Sequence, residues 1–485
     1  MHIPELDHQR IIQQCEGEYA LLSDEARWIS PDDAAMAGSR REKLLDGIKN
    51  AAQWAFNGTK PFSGRISPGC RLCGGGAWSC LFINNLCNAR CFFCPTKQDN
   101  QEEPGTSMLT FTNPQEYADY LERFGFKGAS ISGGEPMLTF DKTLAFVTCI
   151  KERFGENLYL WLYTNGTLAT EDNLRRLADA GLDEIRFNIT VNRYDLSKVR
   201  LACGVIPHVT VEIPAVPEDE ELMKGKLQEM TDSGVEFLNL HQIRCTKHNA
   251  THLSRRGYTF LHGPAIGILE SELTALSLLM HAIGEGIPLN VNYCSLIYRQ
   301  RYHTRAARRR WAPFMAKPYE AITEAGMIRT LSLSAEPETV SRIVSDLARE
   351  GRDPSQWSTS LDKNHLPFSH LLLPVIETAA NGLRLSYSIA SVLPHLSYRN
   401  PFQEVRLTSG KKIVIERSTV FPDIMLDTQE VKLFREYLRN SPGPSARMDM
   451  FYDRVMELGG SNDRKRKWQE IVHAEGLRSG LLEYY

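Results

Sequence analysis

The chain has 485 residues, 42% of them hydrophobic and 24% charged, with a formal net charge of −3. Single cores stop growing at roughly 250 to 300 residues, so two or three folded units are expected, and the near-neutral balance speaks against a general nucleic-acid binder, which carries a basic excess. Eleven cysteines, seven of them in the first hundred residues, point to metal chemistry in a reducing compartment more than to disulfides.

The first residues, Met1 to Asp7, contain no cationic-then-apolar leader, and no run of about 18 apolar residues follows anywhere. A soluble, cytoplasmic protein without membrane contact is expected. Residues 1–65 read as a helical cap, with Trp28 and Trp54 as core anchors. Next, Gly69-Cys-Arg-Leu-Cys-Gly-Gly-Gly-Ala-Trp-Ser-Cys80 places Cys70, Cys73 and Cys80 around a C-x2-C step beside glycines. That pattern suits a metal-wrapping knuckle, an auxiliary iron–sulfur or zinc site whose fourth ligand comes from Cys15, Cys294, a histidine or an exogenous molecule. It equally suits a glycine-rich loop carrying reduced thiols. In Leu86-Cys-Asn-Ala-Arg-Cys-Phe-Phe-Cys-Pro95, the C-x3-C-x2-C spacing of Cys87, Cys91 and Cys94 supplies three thiolates to one iron–sulfur cube. A cubane takes four thiolates, so three leave one iron open to a small molecule that chelates through an amine and a carboxylate. Zinc, or three unrelated thiols, is the plainer alternative.

Strand patterns follow at Cys80 to Asn84, Ala129 to Ser132, Leu158 to Thr164, Glu184 to Thr190, Val209 to Pro214, Phe237 to Leu240 and Leu289 to Tyr293. Helical patterns separate most of them. Thr112-Asn113-Pro114 with Glu116 supplies a cap, a first-position proline and an acidic first turn before Tyr117 to Phe124, and Thr170 to Ala180 ends at Gly181 as a helix with a left-handed residue would. Only Asp195 to Ala202 is short for a crossover. Alternating strands and helices predict a parallel α/β sheet. Within it, the second strand runs straight into Ser132-Gly133-Gly134-Glu135-Pro136, where two glycines allow close backbone approach to a ligand, and the third ends in Tyr163-Thr164-Asn165-Gly166.

The cysteine triplet with Phe93, the Gly-Gly-Glu-Pro segment and the Thr-Asn-Gly turn resemble the radical S-adenosylmethionine (SAM) superfamily, and within it most of all the pyruvate formate-lyase activating enzyme group. The resemblance spans residues 80 to 245. It implies a partial (βα)6 barrel over residues 66–315, a 4Fe-4S cluster on Cys87, Cys91 and Cys94, and SAM on the open iron. In this family Phe93 lies near the adenine, while Gly133, Gly134, Glu135 and Pro136 meet the methionine ammonium and Thr164 and Asn165 lie beside SAM. Plain turns would account for either segment alone. An external one-electron reductant of flavodoxin or ferredoxin type is implied as well.

Barrel chemistry sits at the C-terminal strand ends. There Asn188 is a candidate for the SAM ribose or carboxylate, and His241, in Asn239-Leu-His-Gln242, for SAM or substrate. Each is otherwise an ordinary core polar group. Glu212, an acid in the apolar run Val211-Glu-Ile-Pro-Ala-Val-Pro217, must be paired or neutral, and is a catalytic candidate together with Cys203, a hydrogen or proton donor or else a packed thiol. Tyr298 to Trp311 is rich in arginine and aromatics: a solvated helix face, an RNA contact, or a lid holding an anionic substrate group. Residues 316–485 read as an α+β domain without motifs, with strands at Met327 to Ser334, Leu371 to Ile376, Leu383 to Ser388 and Lys412 to Arg417 and helices at Glu338 to Arg349, Thr428 to Arg439 and Ser445 to Leu458. The expected activity is reductive cleavage of SAM and hydrogen abstraction from a polar small molecule or peptide, an oxidoreductase or lyase whose outcome is elimination, dehydration, epimerisation or a related change. The alternatives are installation of a glycyl radical on a partner protein, RNA modification, and a non-enzymatic metal-binding scaffold.

Overall fold

The strands expected between residues 80 and 293 all form in the computed structural model, which describes residues 8–18, 26–100, 102–376, 382–393, 397–408, 410–439 and 461–484. They are β1 Trp78–Leu86, β2 Gly128–Gly134, β3 Tyr159–Thr164, β4 Glu184–Phe187, β5 His208–Pro214, β6 Phe237–His241 and β7 Asn290–Cys294. Neighbours pair in parallel in chain order, so the sheet has seven parallel strands, the last added by the long connection that carries helix Leu269–Gly284. Short antiparallel hairpins line both edges, Gly105–Thr106 with Leu109–Thr110 beside β1, and Gln53–Ala55 with Lys60–Phe62 beside β7.

Local sequence explains the crossovers. Asn113 caps helix Pro114–Arg123 by accepting from the Glu116 amide, Thr170 caps Glu171–Asp179 through the Asn173 amide, and Gly181 turns out of that helix at φ +89°. The short crossover is the six-residue helix Ser197–Ala202. Crossover helices cover the outer face and the segment Pro68–Gly75 the inner one, so β3 is buried on both faces, with Leu160, Trp161 and Leu162 all fully buried.

The N-terminal segment is helical at His8–Glu18 and Pro31–Ile48 but also contributes strand Arg27–Trp28 and the edge hairpin. Trp28 packs as expected, its ring stacked on His262 at 4.6 Å and tilted against Phe260. Trp54 does not: it sits on the outer strand of the hairpin and is 40% exposed. The C-x2-C segment is the helix Pro68–Gly75, capped by Ser67 and closed by Gly76 at φ +75°, rather than a loop. It lies against the inner face near the starts of β2, β3 and β4, where Gly69 leaves no space for a Cβ beside Arg186 and Trp161.

The chain divides into two compact units, His8–His303 with Gly480–Tyr485, and Thr304–Ser479, the division falling inside helix Leu296–Met315. The second unit is α+β, with antiparallel strands β8 Ile328–Ser334, β9 His365–Phe368, β10 Leu383–Leu393, β11 Phe402–Arg406 and β12 Lys412–Leu426 and helices Pro337–Arg349, Thr428–Arg439 and Asn462–Glu475. Leu331, Leu385, Phe434 and Trp468 anchor its core. The strand expected at Leu371 to Ile376 is instead the 3-10 turn His370–Leu372 and helix Leu373–Ile376, since Ser369 caps the turn and Pro374 cannot donate to a ladder. The helix expected at Ser445 to Leu458 lies outside the described residues.

Candidate active site

The three cysteines leave the C-terminal end of β1 in an excursion that the main chain closes, with Leu86 bridging Asp99 and the Cys87 amide donating to the Gln98 carbonyl at 3.1 Å. Side chains pin this loop from two directions. Asn165, at the end of β3, donates to Asn88 Oδ1 at 2.7 Å and approaches Cys87 Sγ at 3.9 Å, while Asn88 donates to Thr167 at 2.8 Å. Beyond β6, Asn249 donates to the Phe93 carbonyl at 3.0 Å and Thr246 to the Pro95 carbonyl at 2.8 Å.

The thiols themselves are half-buried and feel one another. Burial, with the charges of Cys94 and Cys87 added, pushes Cys91 up to about 11, and burial likewise raises Cys87. Three thiolates this close repel unless a cationic group takes them together, and a metal centre deprotonates its thiols outright. Among the described residues no three Cys, His, Asp or Glu side chains converge on one ion position. A cubane does not require that, because each thiolate goes to a different iron. The loop therefore fits such a cluster.

Next to the loop, the two glycines hold β2 against β1. Gly133 and Gly134 have φ of +84° and +70°; a Cβ on the first would lie 2.7 Å from Phe82 Cα, and one on the second would land on the Leu86 carbonyl. Their freedom thus serves the approach of β1, the strand that launches the cysteine loop. Glu135 is fully buried, and three protein donors reach its carboxylate: the Thr164 hydroxyl at 2.8 Å, the Asn165 amide at 2.6 Å and the Met137 amide at 3.0 Å. Burial raises its pKa against the pull of those bonds. Pro136 opens the 3-10 turn that follows. Asn84, which the sequence reading did not single out, fastens the same corner by donating to the Glu135 carbonyl and to Thr139. Its signal was the Asn-Asn pair at a strand end, the second at φ +57°.

Inside the sheet, alternate residues of β4 to β7 build a polar lumen. Glu184 and Arg186 on β4 are buried together, Arg186 Nε lying 2.9 Å from Glu184 and Nη1 2.7 Å from Glu212 on β5. Glu212 also accepts from Asn239 at 2.8 Å and sits 2.7 Å from His241 Nε2, both on β6. Burial opposes ionisation of Glu212, yet Arg186, His241 and Asn239 overcome it and hold the carboxyl far below the usual range. Burial lowers His241. Arg186 and Asn239 were missed; the charge–apolar alternation Glu184-Ile-Arg-Phe187 was the legible sign of a paired inner face.

A Radical SAM superfamily profile matches residues 81–204, from β1 to the helix after β4. A Methanocaldococcus jannaschii protein, provisionally named a glycyl-radical enzyme activating enzyme, is 31% identical over 277 residues, 54% of this chain and 72% of that one. The chain belongs to the radical SAM superfamily. A GTP 3',8-cyclase of Rhodopirellula baltica is 31% identical over 121 residues, 24% of this chain and 31% of its own length. The crystal structure of HydG, a maturase of the FeFe-hydrogenase, overlaps 50% of this chain and 55% of its own with a TM-score of 0.31 and 14% identity.

As a radical SAM enzyme, the chain has a cluster site and a SAM site to provide, and the structure brings two groups of candidates together. Cys87, Asn165 and Thr164 meet Glu135 and the glycines at the ends of β1 to β3; Glu212 and His241 meet in the lumen. Asn188 ends β4, its Oδ1 capping the turn at Thr190. Phe93 packs edge-on to Phe92 and against the apolar cluster that includes Ile243 and Tyr258, beyond β6. Cys203 stands apart from all of these. It closes helix Ser197–Ala202, its thiol donating to the Val199 carbonyl, and precedes the N-terminal end of β5, the opposite end from the chemistry. Strand direction thus places it away from the strand ends where the other candidates meet.

Because Glu135 ties β2 to the Thr164–Asn165 turn, its loss should be felt first in stability. Glu135→Ala orphans three donors, and an unsatisfied buried donor costs about 1–3 kcal/mol. Glu135→Gln should do little better, since its amide nitrogen would face a backbone N–H. Thermal unfolding should show both variants lowered by roughly 10 °C, and a change below 2 °C or so would refute the tie.

Proposed function

We propose that this radical SAM enzyme binds its 4Fe-4S cluster through Cys87, Cys91 and Cys94 and abstracts hydrogen from a polar small molecule or peptide side chain held in the lumen. The bound cluster and SAM supply the 5'-deoxyadenosyl radical. Gly133, Gly134 and Pro136 shape the β2 end, Thr164, Asn165 and Asn188 flank SAM, and Phe93 covers the β6 side. Glu212 orients His241 toward the substrate. The observation that carries the substrate class is the lumen itself: a charged, hydrogen-bonded interior of Arg186, Glu212, Asn239 and His241, suited to polar groups. Elimination or dehydration and epimerisation, hence lyase or oxidoreductase chemistry, are the outcomes such a site suits, with electrons from a flavodoxin- or ferredoxin-type donor.

The Methanocaldococcus relative favours a second reading, installation of a glycyl radical on a partner protein. RNA modification gains nothing from the basic run, where Arg299 and Arg301 donate to main-chain carbonyls and Arg305 pairs with Glu324. The scaffold alternative is excluded by the family. Among the described residues no helix is long and apolar enough to cross a membrane. None of the eleven cysteines is paired in a disulfide, which supports a reducing, cytoplasmic setting.

Anaerobically reconstituted protein, given reductant and SAM, should release 5'-deoxyadenosine and methionine; no release from cluster-loaded protein would end the proposal. A glycine-centred radical appearing on a partner polypeptide would favour the second reading.

We infer in addition that Cys70, Cys73 and Cys80 are reduced thiols rather than ligands of an auxiliary iron–sulfur or zinc site. Each already has a partner, Cys70 with Asn239, Cys73 with His303 at 3.0 Å, and Cys80 with Ser130, and burial raises all three, Cys80 to about 12. The Lys60 ammonium sits beside Cys70, Cys73 and Cys294, where a zinc ion would meet a second cation. Cys15 is elsewhere, against Gly263. Iron and zinc measured in wild type and in the Cys70→Ser/Cys73→Ser/Cys80→Ser variant should be equal; a surplus in wild type would restore the auxiliary site.

A further inference from the structure

One end of the lumen holds more positive charge than its carboxylates answer. Arg186 is matched by Glu184 and Glu212. Lys60 and Arg299 are not: neither forms an ion pair with a carboxylate among the described residues. Lys60, on the hairpin strand beside β7, is 1% exposed, its ammonium 4.5 Å above the Tyr298 ring and next to Cys294 at the end of β7. Arg299 is the next residue after Tyr298, in the first turn of helix Leu296–Met315. Its Nη2 donates to the Gln242 carbonyl at 2.8 Å, just past β6, and its buried Nε has no partner.

Glu212 cannot answer these two, because one oxygen already accepts from Arg186 and Asn239 while the other faces His241. Both cations act on the same neighbours. Burial, with the charges of Arg299 and Lys60 added, holds His303 down to about 4, and the same two charges bear on His241. A buried charge without a counter-ion costs several kcal/mol, and a buried unpaired donor adds to it. A ligand that brings a negative charge and acceptor oxygens would offset both.

We propose that the lumen end between Lys60 and Arg299, beside His241, binds an anionic oxygen group of the substrate, a carboxylate or a phosphate. The proposal rests on the lumen being the substrate chamber. Arg299 is the better placed of the two, since its planar fork suits a two-oxygen acceptor. Lys60 contributes a fixed positive field from beneath.

Inorganic phosphate and malonate, titrated separately by calorimetry into the reconstituted, SAM-loaded enzyme, test the site. Wild type should bind at least one of them, and the tighter one names the group. Arg299→Gln should weaken that binding about tenfold or more, as the loss of one charge-assisted contact does. Arg299→Lys should keep part of it, and Arg309→Gln, on the exposed continuation of the helix, all of it. No anion binding to wild type, or equal binding to Arg299→Gln, overturns the proposal. Cluster absorbance and SAM affinity in the same samples separate the two readings. If both persist while the anion titration is flat, only the anion site fails; if they vanish, the radical SAM site itself fails.

Discussion

Protein carrying Cys94→Ala, reconstituted without oxygen, should hold no reducible four-iron cluster and should release no 5'-deoxyadenosine from SAM. Cys87→Ala and Cys91→Ala should behave the same way. Three thiolates hold three irons and leave the fourth for SAM, and other thiols are engaged elsewhere: Cys149 lies within helix Phe140–Phe154, Cys203 bonds the Val199 carbonyl, Cys80 bonds Ser130 and Cys245 bonds the Thr246 carbonyl. The loss should not be a loss of fold. The cysteines are half-buried in an excursion fastened by Asn165, Asn249 and Thr246, none of which is altered. Unfolding temperatures of the unreconstituted variants should therefore stay within a few degrees of wild type. SAM cleavage by any of the three above the rate of a reductant-only control would remove this loop as the cluster site. The most informative companion is Asn165→Ala, in which all three thiols remain but the contact from β3 is gone: slower cleavage with normal iron content would separate positioning of the loop from ligation.

These effects were legible to different depths in the sequence. Spacing alone marked Cys87, Cys91 and Cys94, because ligand geometry demands nearby thiols on one loop and leaves a local trace. The seven strands were legible for a similar reason, each being an apolar run bounded by turn residues and caps such as Asn113-Pro114 and Thr170. What the sequence hid was contact between distant strands. Nothing local in Val211-Glu-Ile-Pro214 says that Arg186 and His241 flank the acid, and nothing in Ser-Gly-Gly-Glu-Pro says that the carboxylate turns toward Thr164 and Asn165. Cys203 precedes β5, and in a parallel barrel that position is the N-terminal end of the strand, away from the C-terminal ends where the other candidates meet. Trp54 misled because residue type predicts burial on average, whereas an edge hairpin has an outer side. In the Leu371 to Ile376 run, a propensity for strand lost to Pro374 and the Ser369 cap.

Loss of Arg186 should cost stability heavily through uncompensated charge. Its guanidinium, 3% exposed, answers two buried carboxylates, accepts packing from Trp161 and Tyr163 at 4.9 and 5.4 Å, and donates to Ser67 at 3.1 Å. Arg186→Met fits the space but leaves Glu184 and Glu212 buried without a counter-charge, and removing one partner of such a set costs about 3–5 kcal/mol. Thermal or denaturant unfolding should show that loss in the barrel. Arg186→Lys should recover little, because one ammonium cannot reach both acids as the fork does. Adding Glu184→Gln and Glu212→Gln to Arg186→Met should restore most of the stability, since the uncompensated charges then disappear, while leaving the enzyme unable to turn over its substrate. The pH dependence follows from Glu212. Its folded-state pKa is depressed, so the stability it contributes is complete above the ordinary carboxylate value near 4.5 and is lost only as pH falls further. In Arg186→Met burial acts on Glu212 without the charge that opposes it, so the variant's carboxyl protonates at higher pH than in wild type, and the gap between the two should be widest at neutral pH and shrink steadily as pH falls. A gap that stayed constant through pH 3 or so, or a triple variant no more stable than Arg186→Met, would mean that packing against Trp161 rather than charge makes Arg186 necessary.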